Sequence, residues 1–116
     1  VQIEEASAVE DIDAILTTPG LDAIMVGPND LSGSLGFMGQ HDNPKVVAAI
    51  DKTIERARTH GIPVGVGAGF DTESVRRWIE KGLHWMTLSV DWFGLYSYTD
   101  TMVTTVRKLA NEHGKR

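Results

Sequence analysis

In parallel α/β folds, functional side chains gather where strands end and the following loops begin. This sequence offers four such points. Residues 1–3 end at Glu4-Glu5, and residues 21–26 end at Gly27-Pro28-Asn29-Asp30-Leu31-Ser32. Residues 62–66 run into Gly65-Val66-Gly67-Ala68-Gly69, and residues 83–90 end at Ser89-Val90-Asp91. Glu4 and Asp30, 26 positions apart, stand at the tips of consecutive apolar runs, so their carboxylates are placed to converge. Two carboxylates with no Cys and no neighbouring His suit a hard, oxygen-loving cation such as Mg²⁺ or Mn²⁺. Two protein ligands leave most of an octahedral shell for waters and a chelating substrate. The same residues also serve plainer purposes, Glu4 as a helix cap and Asp30 as a turn residue.

The elements that must hold these groups alternate strictly. After the first strand, Ser7-Ala8-Val9-Glu10 fits a capping box, with Val9, Ile12, Ile15 and Leu16 at helical spacing and Pro19-Gly20 as a stop. Residues 21–26 are apolar almost throughout, as a strand buried on both faces would be. Asn43-Pro44 supplies an N-cap and a proline at the first helical position. That helix carries an apolar stripe of Val46, Val47, Ile50, Ile54 and Ala57 and ends at Gly61. Asp71 or Thr72 caps a third helix, with Val75, Trp78 and Ile79 on one face and Gly82 at its end. A last helix over residues 92–111 is expected to face Met102, Val103, Val106 and Leu109 inward. Four βα units predict an α/β chain with a parallel sheet and right-handed crossovers. At about 29 residues per unit over 116 residues, they match the ~31 of a (β/α)₈ barrel. An isolated four-stranded parallel sheet would also leave two open edges. Residues 1–116 are therefore expected to form one partial barrel domain, four units of eight.

Composition narrows the function classes. The chain has 11 Lys and Arg against 16 Asp and Glu, a formal charge of −5, which argues against a nucleic-acid or anionic-membrane surface. Cysteine is absent, excluding disulfides, thiolate metal sites and Cys nucleophiles. No apolar stretch approaches the ~18 residues of a membrane span and no signal-like segment opens the sequence, so a cytoplasmic protein is expected.

The residues at the strand ends carry a specific likeness. Val1-Gln2-Ile3-Glu4, Gly27-Pro28-Asn29-Asp30-Leu31-Ser32, Leu35-Gly36, Asn43-Pro44-Lys45-Val46, the Gly65-centred strand and the segment from Leu83 to Asp91 together resemble the HpcH/HpaI aldolase family. The resemblance covers essentially the whole chain and corresponds to the C-terminal half of the family's (β/α)₈ barrel. It implies a class II lyase that cleaves 4-hydroxy-2-oxo acids to pyruvate and an aldehyde with a divalent metal, Mg²⁺, Mn²⁺ or another ion. Glu4 and Asp30 then match the metal ligands, and Gly27, Pro28, Asn29 and Asp30 the segment that holds the substrate carboxylate through backbone N–H groups. Gly67 matches a position lining the pocket, where a bulkier residue is the family's pattern. Gly27-Pro28 is expected to make a rigid turn that points N–H groups at an anion rather than entering a helix at once. The family's general-base His and substrate-binding Arg belong to the first half of the barrel and match no position here, so weak or no activity is expected of this chain by itself.

The chemistry implied is coherent. Retro-aldol cleavage generates a pyruvate enolate, whose charge a metal chelated by the 2-oxo acid stabilises without a lysine Schiff base. Lys45, Lys52, Lys81, Lys108 and Lys115 all read as helix-face or terminal residues. Of the histidines, His60 and His113 suit helix C-termini, His84 begins a strand at the wrong end for barrel chemistry, and His41 alone falls near the expected mouth. The segment from Gly65 to Gly69 lacks the residues of a phosphate loop and is expected to be a strand-to-helix turn lining the pocket. Trp85, Trp92, Phe93, Tyr96 and Tyr98 cluster near the C-terminus, where packing or a homo-oligomer contact would use them. Two alternatives stand beside the aldolase: a non-catalytic half-barrel that associates through its open edges, and a related acyl-CoA lyase with the same metal chemistry.

Overall fold

The computed structural model describes residues 1–69 and 71–114; Lys115 lies outside them. The elements in chain order are β1 (Gln2–Ile3), α1 (Ala6–Glu10), α2 (Ile12–Leu16), β2 (Ile24–Val26), α3 (Pro28–Ser34), α4 (Pro44–Thr59), β3 (Val64–Ala68), α5 (Thr72–Glu80), β4 (Trp85–Leu88) and α6 (Asp91–His113). The four strands form one sheet in the order β1-β2-β3-β4, every pair parallel. This is the α/β arrangement expected from the alternation, and it is that of consecutive βα units of a barrel wall.

The register separates the two faces. Ile3, Ile24, Val26, Val64 and Val66 are buried against the helices, joined there by Val9, Ile12, Leu16, Leu31, Val46, Ile50, Ile54 and Ala57. Burying one such aliphatic side chain is worth about 1.5–3 kcal/mol, so this cluster is what holds β1 to β3 and α1 to α4 together. The alternate positions face the other way and are less covered: Met25 is only half-buried, while Gly65 lies under the Trp85 ring. The expectation that the second strand is buried on both faces is thus corrected to one face.

Several local expectations also change. The first helix begins at Ala6, its N-cap is Glu5, and neither Glu5 nor Ser7 makes a side-chain cap. The cap comes from far along the chain, because the Ser34 hydroxyl at the end of α3 accepts from the Ala6 N–H at 2.9 Å. The helix is also two five-residue pieces meeting at Asp11, whose φ/ψ of −91°/16° leaves the helical region; the buried stripe of Val9, Ile12 and Leu16 survives the break. Gly27-Pro28 does not hold the chain out of a helix. With Gly27 as N-cap and Pro28 pre-set at the first position, α3 starts immediately and buries Leu31. Gly65 and Gly67 lie inside β3 rather than in a turn, leaving Gly69 to begin the loop.

The caps read from sequence hold elsewhere. Asn43 Oδ1 accepts from the Lys45 N–H at 3.1 Å and Asp71 Oδ1 from the Ser74 N–H at 2.9 Å. The α4 helix stops at Gly61, whose φ of +68° is a left-handed turn that suits glycine. Lys45 and Lys52 lie on α4, Lys81 caps the end of α5 and Lys108 lies on α6, all helix positions as expected.

The largest correction concerns α5 and α6. Trp78 packs against the core and Val75 is half-buried, but Ile79 is exposed. Met102, Val103, Val106 and Leu109 do not face inward; no residue of α6 is buried. At ~1.5 Å per residue a 23-residue helix is about 34 Å long. The chain measures 68 × 28 × 23 Å, with a radius of gyration of 19.0 Å against about 13 Å for a compact chain of this length. The apolar stripe of α6 is real, but this chain supplies no surface opposite it.

Candidate active site

The C-terminal ends of β1 and β2 set the positions of the two carboxylates. Ile3 pairs with Val26, so Glu4 stands level with Gly27, whose N–H donates to the Ile3 carbonyl at 3.0 Å. A Cβ at position 27 would lie 3.1 Å from Glu4 Cβ, 3.2 Å from Glu4 Oε2 and 2.7 Å from Gln2 Nε2. Glycine is what lets the half-buried Glu4 side chain lie directly on the neighbouring strand. Gln2 Nε2 donates to Glu4 Oε2, which fixes one carboxylate oxygen and leaves the other for a ligand. Asp30 sits in the first turn of α3, exposed, with Asn29 Nδ2 3.5 Å from its Oδ1. Neither plainer reading of these residues applies: Glu4 caps no helix, and Asp30 is helical.

The backbone N–H groups of Asn29 and Asp30 fall in the first turn of α3, where no intrahelical acceptor exists; the first such bond runs from the Leu31 N–H to the Gly27 carbonyl at 3.0 Å. The donors assigned to a substrate carboxylate are therefore present, though a helix start supplies them and not a free turn. The floor of the helix is held by Ser32, whose buried Oγ donates to the Asn29 carbonyl at 2.6 Å and accepts from the Gly39 N–H at 2.9 Å.

Beside this lies a cleft of about 520 Å³ that Pro28, Asn29, His41, Gly67, Arg77 and Trp78 help to line. Three of the residues assigned to substrate, Pro28, Asn29 and Gly67, thus border one cavity. Gly27 and Asp30 do not border it, and Glu4 opens instead onto a shallow depression with Gln2 and Ser7. His41 is at the cleft, as its place in the loop implied. The far wall is held by charge: Arg77 Nη1 donates to Asp42 Oδ1 at 2.6 Å, and Lys81 pairs with Asp51. The Ser74 N–H at the Asp71 carboxylate holds that group below its ordinary value. The Asp42 carboxylate in turn raises the Arg77 guanidinium further above its own.

Two of the other histidines, His60 and His84, make structural contacts. His60 Nε2 lies 3.1 Å from Asp13 Oδ1, which also accepts from Arg56 Nε at 2.6 Å. His84 Nδ1 accepts from the Val64 N–H at 3.3 Å, at the entry end of the sheet. Among the described residues no group of three or more His, Cys, Asp or Glu side chains surrounds a common point, so a cation here would rest on a two-carboxylate set completed by water and substrate. Donors that are all oxygen, one of them already oriented by Gln2, suit such an ion. Among the described residues no helix is long and apolar enough to cross a membrane. Sequence reasoning missed Ser34 as the cap of α1 and Gln2 as the partner of Glu4.

Comparison with known proteins places this arrangement. The HpcH/HpaI aldolase/citrate lyase family model matches residues 1–97. The 5-keto-4-deoxy-D-glucarate aldolase of Enterobacter sp. (strain 638) is 36% identical over 108 residues, which is 93% of this chain and 42% of that protein. The crystal structure of an HpcH/HpaI aldolase from Desulfitobacterium hafniense DCB-2 has a TM-score of 0.84 at 38% identity, over 91% of this chain and 41% of that one. A family protein from Burkholderia cenocepacia J2315 gives 0.85 at 36% identity, over 92% and 41%. The chain thus spans about two-fifths of the length of the relatives it matches. With that likeness across its strands and strand-end motifs, the chain belongs to the HpcH/HpaI aldolase/citrate lyase family.

Proposed function

We propose that this chain forms the metal-ligand side of a class II aldolase site that cleaves 4-hydroxy-2-oxo acids to pyruvate and an aldehyde. The observation that carries the reading is the pair of Glu4, directly after β1, and Asp30, in the first turn of the helix that follows the adjacent parallel strand β2, with Glu4 seated on Gly27 and oriented by Gln2. Glu4 and Asp30 would hold the divalent ion, Mg²⁺ or Mn²⁺. When bound, that ion supplies Lewis acidity toward the 2-oxo group and carboxylate of the substrate. Gln2 keeps Glu4 in one rotamer, so the ligand set is pre-organised. The first-turn N–H groups of Asn29 and Asp30 donate to the substrate carboxylate, and Gly27 and Pro28 keep side chains out of its way. Gly67 and His41 border the space beyond. Among the described residues no lysine lies at a strand end to form a Schiff base.

The general base and the substrate-binding Arg expected of the family come, in this reading, from four further βα units, on the same polypeptide or in a second subunit. The uncovered α6 favours assembly into a homo-oligomer or with that other half. A cytoplasmic location accords with soluble oxo-acid substrates. Calorimetric titration with Mn²⁺ tests the site: Glu4→Gln and Asp30→Asn should each weaken binding at least tenfold. Equal binding by wild type and both variants would remove the proposal.

A further inference from the structure

One row of the sheet joins the C-terminal ends of all four strands. Gly67 pairs with Thr87, Val26 pairs with Val66 and Ile3 with Val26. One step further along, Glu4, Gly27, Gly67 and Thr87 therefore lie side by side at the C-terminal end of all four strands, on the face turned away from the helices. The two middle members carry no side chain. The result is a trough floored by backbone, with a carboxylate on one bank and a hydroxyl on the other. The two sides of its floor differ. Over Gly27 the space is already taken by Glu4 and Gln2. At Gly67 a Cβ would meet nothing closer than Thr87 Oγ1 at 3.6 Å, Met25 Cε at 3.9 Å and the Val26 carbonyl at 3.9 Å. Glycine is thus not required at 67 by any close neighbour; it leaves room.

We infer that Thr87 is a specificity-determining residue, its hydroxyl reading a hydroxyl-bearing tail of the 2-oxo acid that lies across Gly67. This rests on the oxo-acid reading of Glu4 and Asp30 and names the part of the substrate beyond the bond that is cleaved. The reasoning is one of reach and polarity. Three strand spacings separate the β1 and β4 axes, ~14 Å. A three-carbon acid held at the Glu4 end stops short of Gly67, and contact with Thr87 takes two or more further carbons. What the tail then meets is one hydroxyl, able to donate and accept, one carbonyl oxygen and one soft methyl. A hydroxylated chain satisfies that hydroxyl, whereas a purely apolar tail would leave Thr87 Oγ1 without a partner once water is displaced. The Ser89 N–H bond to the Ala68 carbonyl, 3.0 Å, ties the strand end beyond Thr87 to β3 and keeps the hydroxyl beside Gly67.

The test is calorimetric binding of pyruvate and of 4,5-dihydroxy-2-oxopentanoate to the Mn²⁺-loaded chain, in wild type, Thr87→Val, Thr87→Ser and Gly67→Val. The readout is the ratio of the two affinities. Wild type should favour the hydroxylated acid, and Thr87→Val, which keeps the shape and removes the hydroxyl, should cut the ratio about five- to tenfold. Thr87→Ser should restore it, and Gly67→Val, which fills the trough, should cut it as well. An unchanged ratio in Thr87→Val, or an equal loss for both probes, overturns the assignment. If wild type binds the hydroxylated acid in a Thr87-dependent way without Mn²⁺ and ignores pyruvate, the metal reading falls and Thr87 stands. If neither probe binds, both fall.

Discussion

The body formed by β1 to β3 with α1 to α4 and the end formed by β4, α5 and α6 have similar hydrophobic patterning and opposite fates. In the body, Ile12, Ile24, Val26, Leu31, Val46 and Val66 are all fully buried. At the end, Trp92, Leu95 and Val106 are 66%, 71% and 65% exposed, and neither α5 nor α6 buries a residue. The α5 helix is held by Trp78 against the core and, at its surface, by Arg77 to Asp42, Lys81 to Asp51 and the Arg58 Nη2 bond to the Lys81 carbonyl at 3.0 Å. An apolar stripe at helical spacing tells which face a helix will bury. Whether it buries that face depends on a second surface, which lies outside the helix's own sequence.

The sharpest way to break the comparison is a pair of truncations. Ile24→Ala should cost about 3–4 kcal/mol of unfolding free energy, from the lost burial and the cavity left behind. Leu95→Ala should cost less than ~0.5 kcal/mol in the monomeric chain. Urea denaturation of both variants at low protein concentration measures this, and similar losses would mean that α6 is docked in solution. Repeating Leu95→Ala at high concentration sharpens the point: a loss that grows with concentration identifies a second copy as the missing surface.

A smaller effect, about 1 kcal/mol, is expected for Ser34→Ala, which leaves the Ala6 N–H without its acceptor. Thermal melts should show it, and Ser7→Ala, the residue a local capping box would favour, should change little. If Ser7→Ala is the more damaging variant, the long-range cap is wrong.

The smallest effect is one of pH. Arg56 beside Asp13, with His60 as a further partner, lowers the Asp13 carboxyl below its ordinary 3.8. A depressed carboxyl contributes stability that is present above its unfolded value and lost as pH falls through the folded one. Wild type should therefore exceed Asp13→Asn slightly at pH 6, and the two should converge as the pH falls through the lowered carboxyl value. The pair is exposed and screened, so added salt should shrink the difference too; a gap that persists in acid would show that Asp13 acts through something other than its charge.

The body was largely legible in the sequence because its signals are local. Asn43-Pro44 and Asp71 state their caps within three residues, and the stripe from Val46 to Ala57 states its face. Even α3 carried its signal, since Gly27-Pro28 is the same proline-at-first-position pattern as Asn43-Pro44, hidden by a run of small polar residues. The strand-end carboxylates were legible for the same reason: alternation of strands and helices fixes where strand tips fall. What was not legible depends on pairing at a distance. Ser34 caps a helix 28 residues earlier, and Thr87 joins Glu4 only through three successive strand registers. No window along the chain contains those relations.

The Ser34 cap has a consequence beyond helix stability. Its acceptor oxygen closes α3, four residues past Asp30, and the N–H it holds opens α1, two residues past Glu4. One hydroxyl therefore works as a tie-rod between the segment after β1 that carries Glu4 and the helix that carries Asp30. Bond lengths to oxygen differ by roughly 0.3–0.5 Å between Mg²⁺ and Ca²⁺, so if Glu4 and Asp30 hold an ion as proposed, the length of that tie would bear on which ion suits them. Ion preference would then be open to change through position 34, with neither ligand altered.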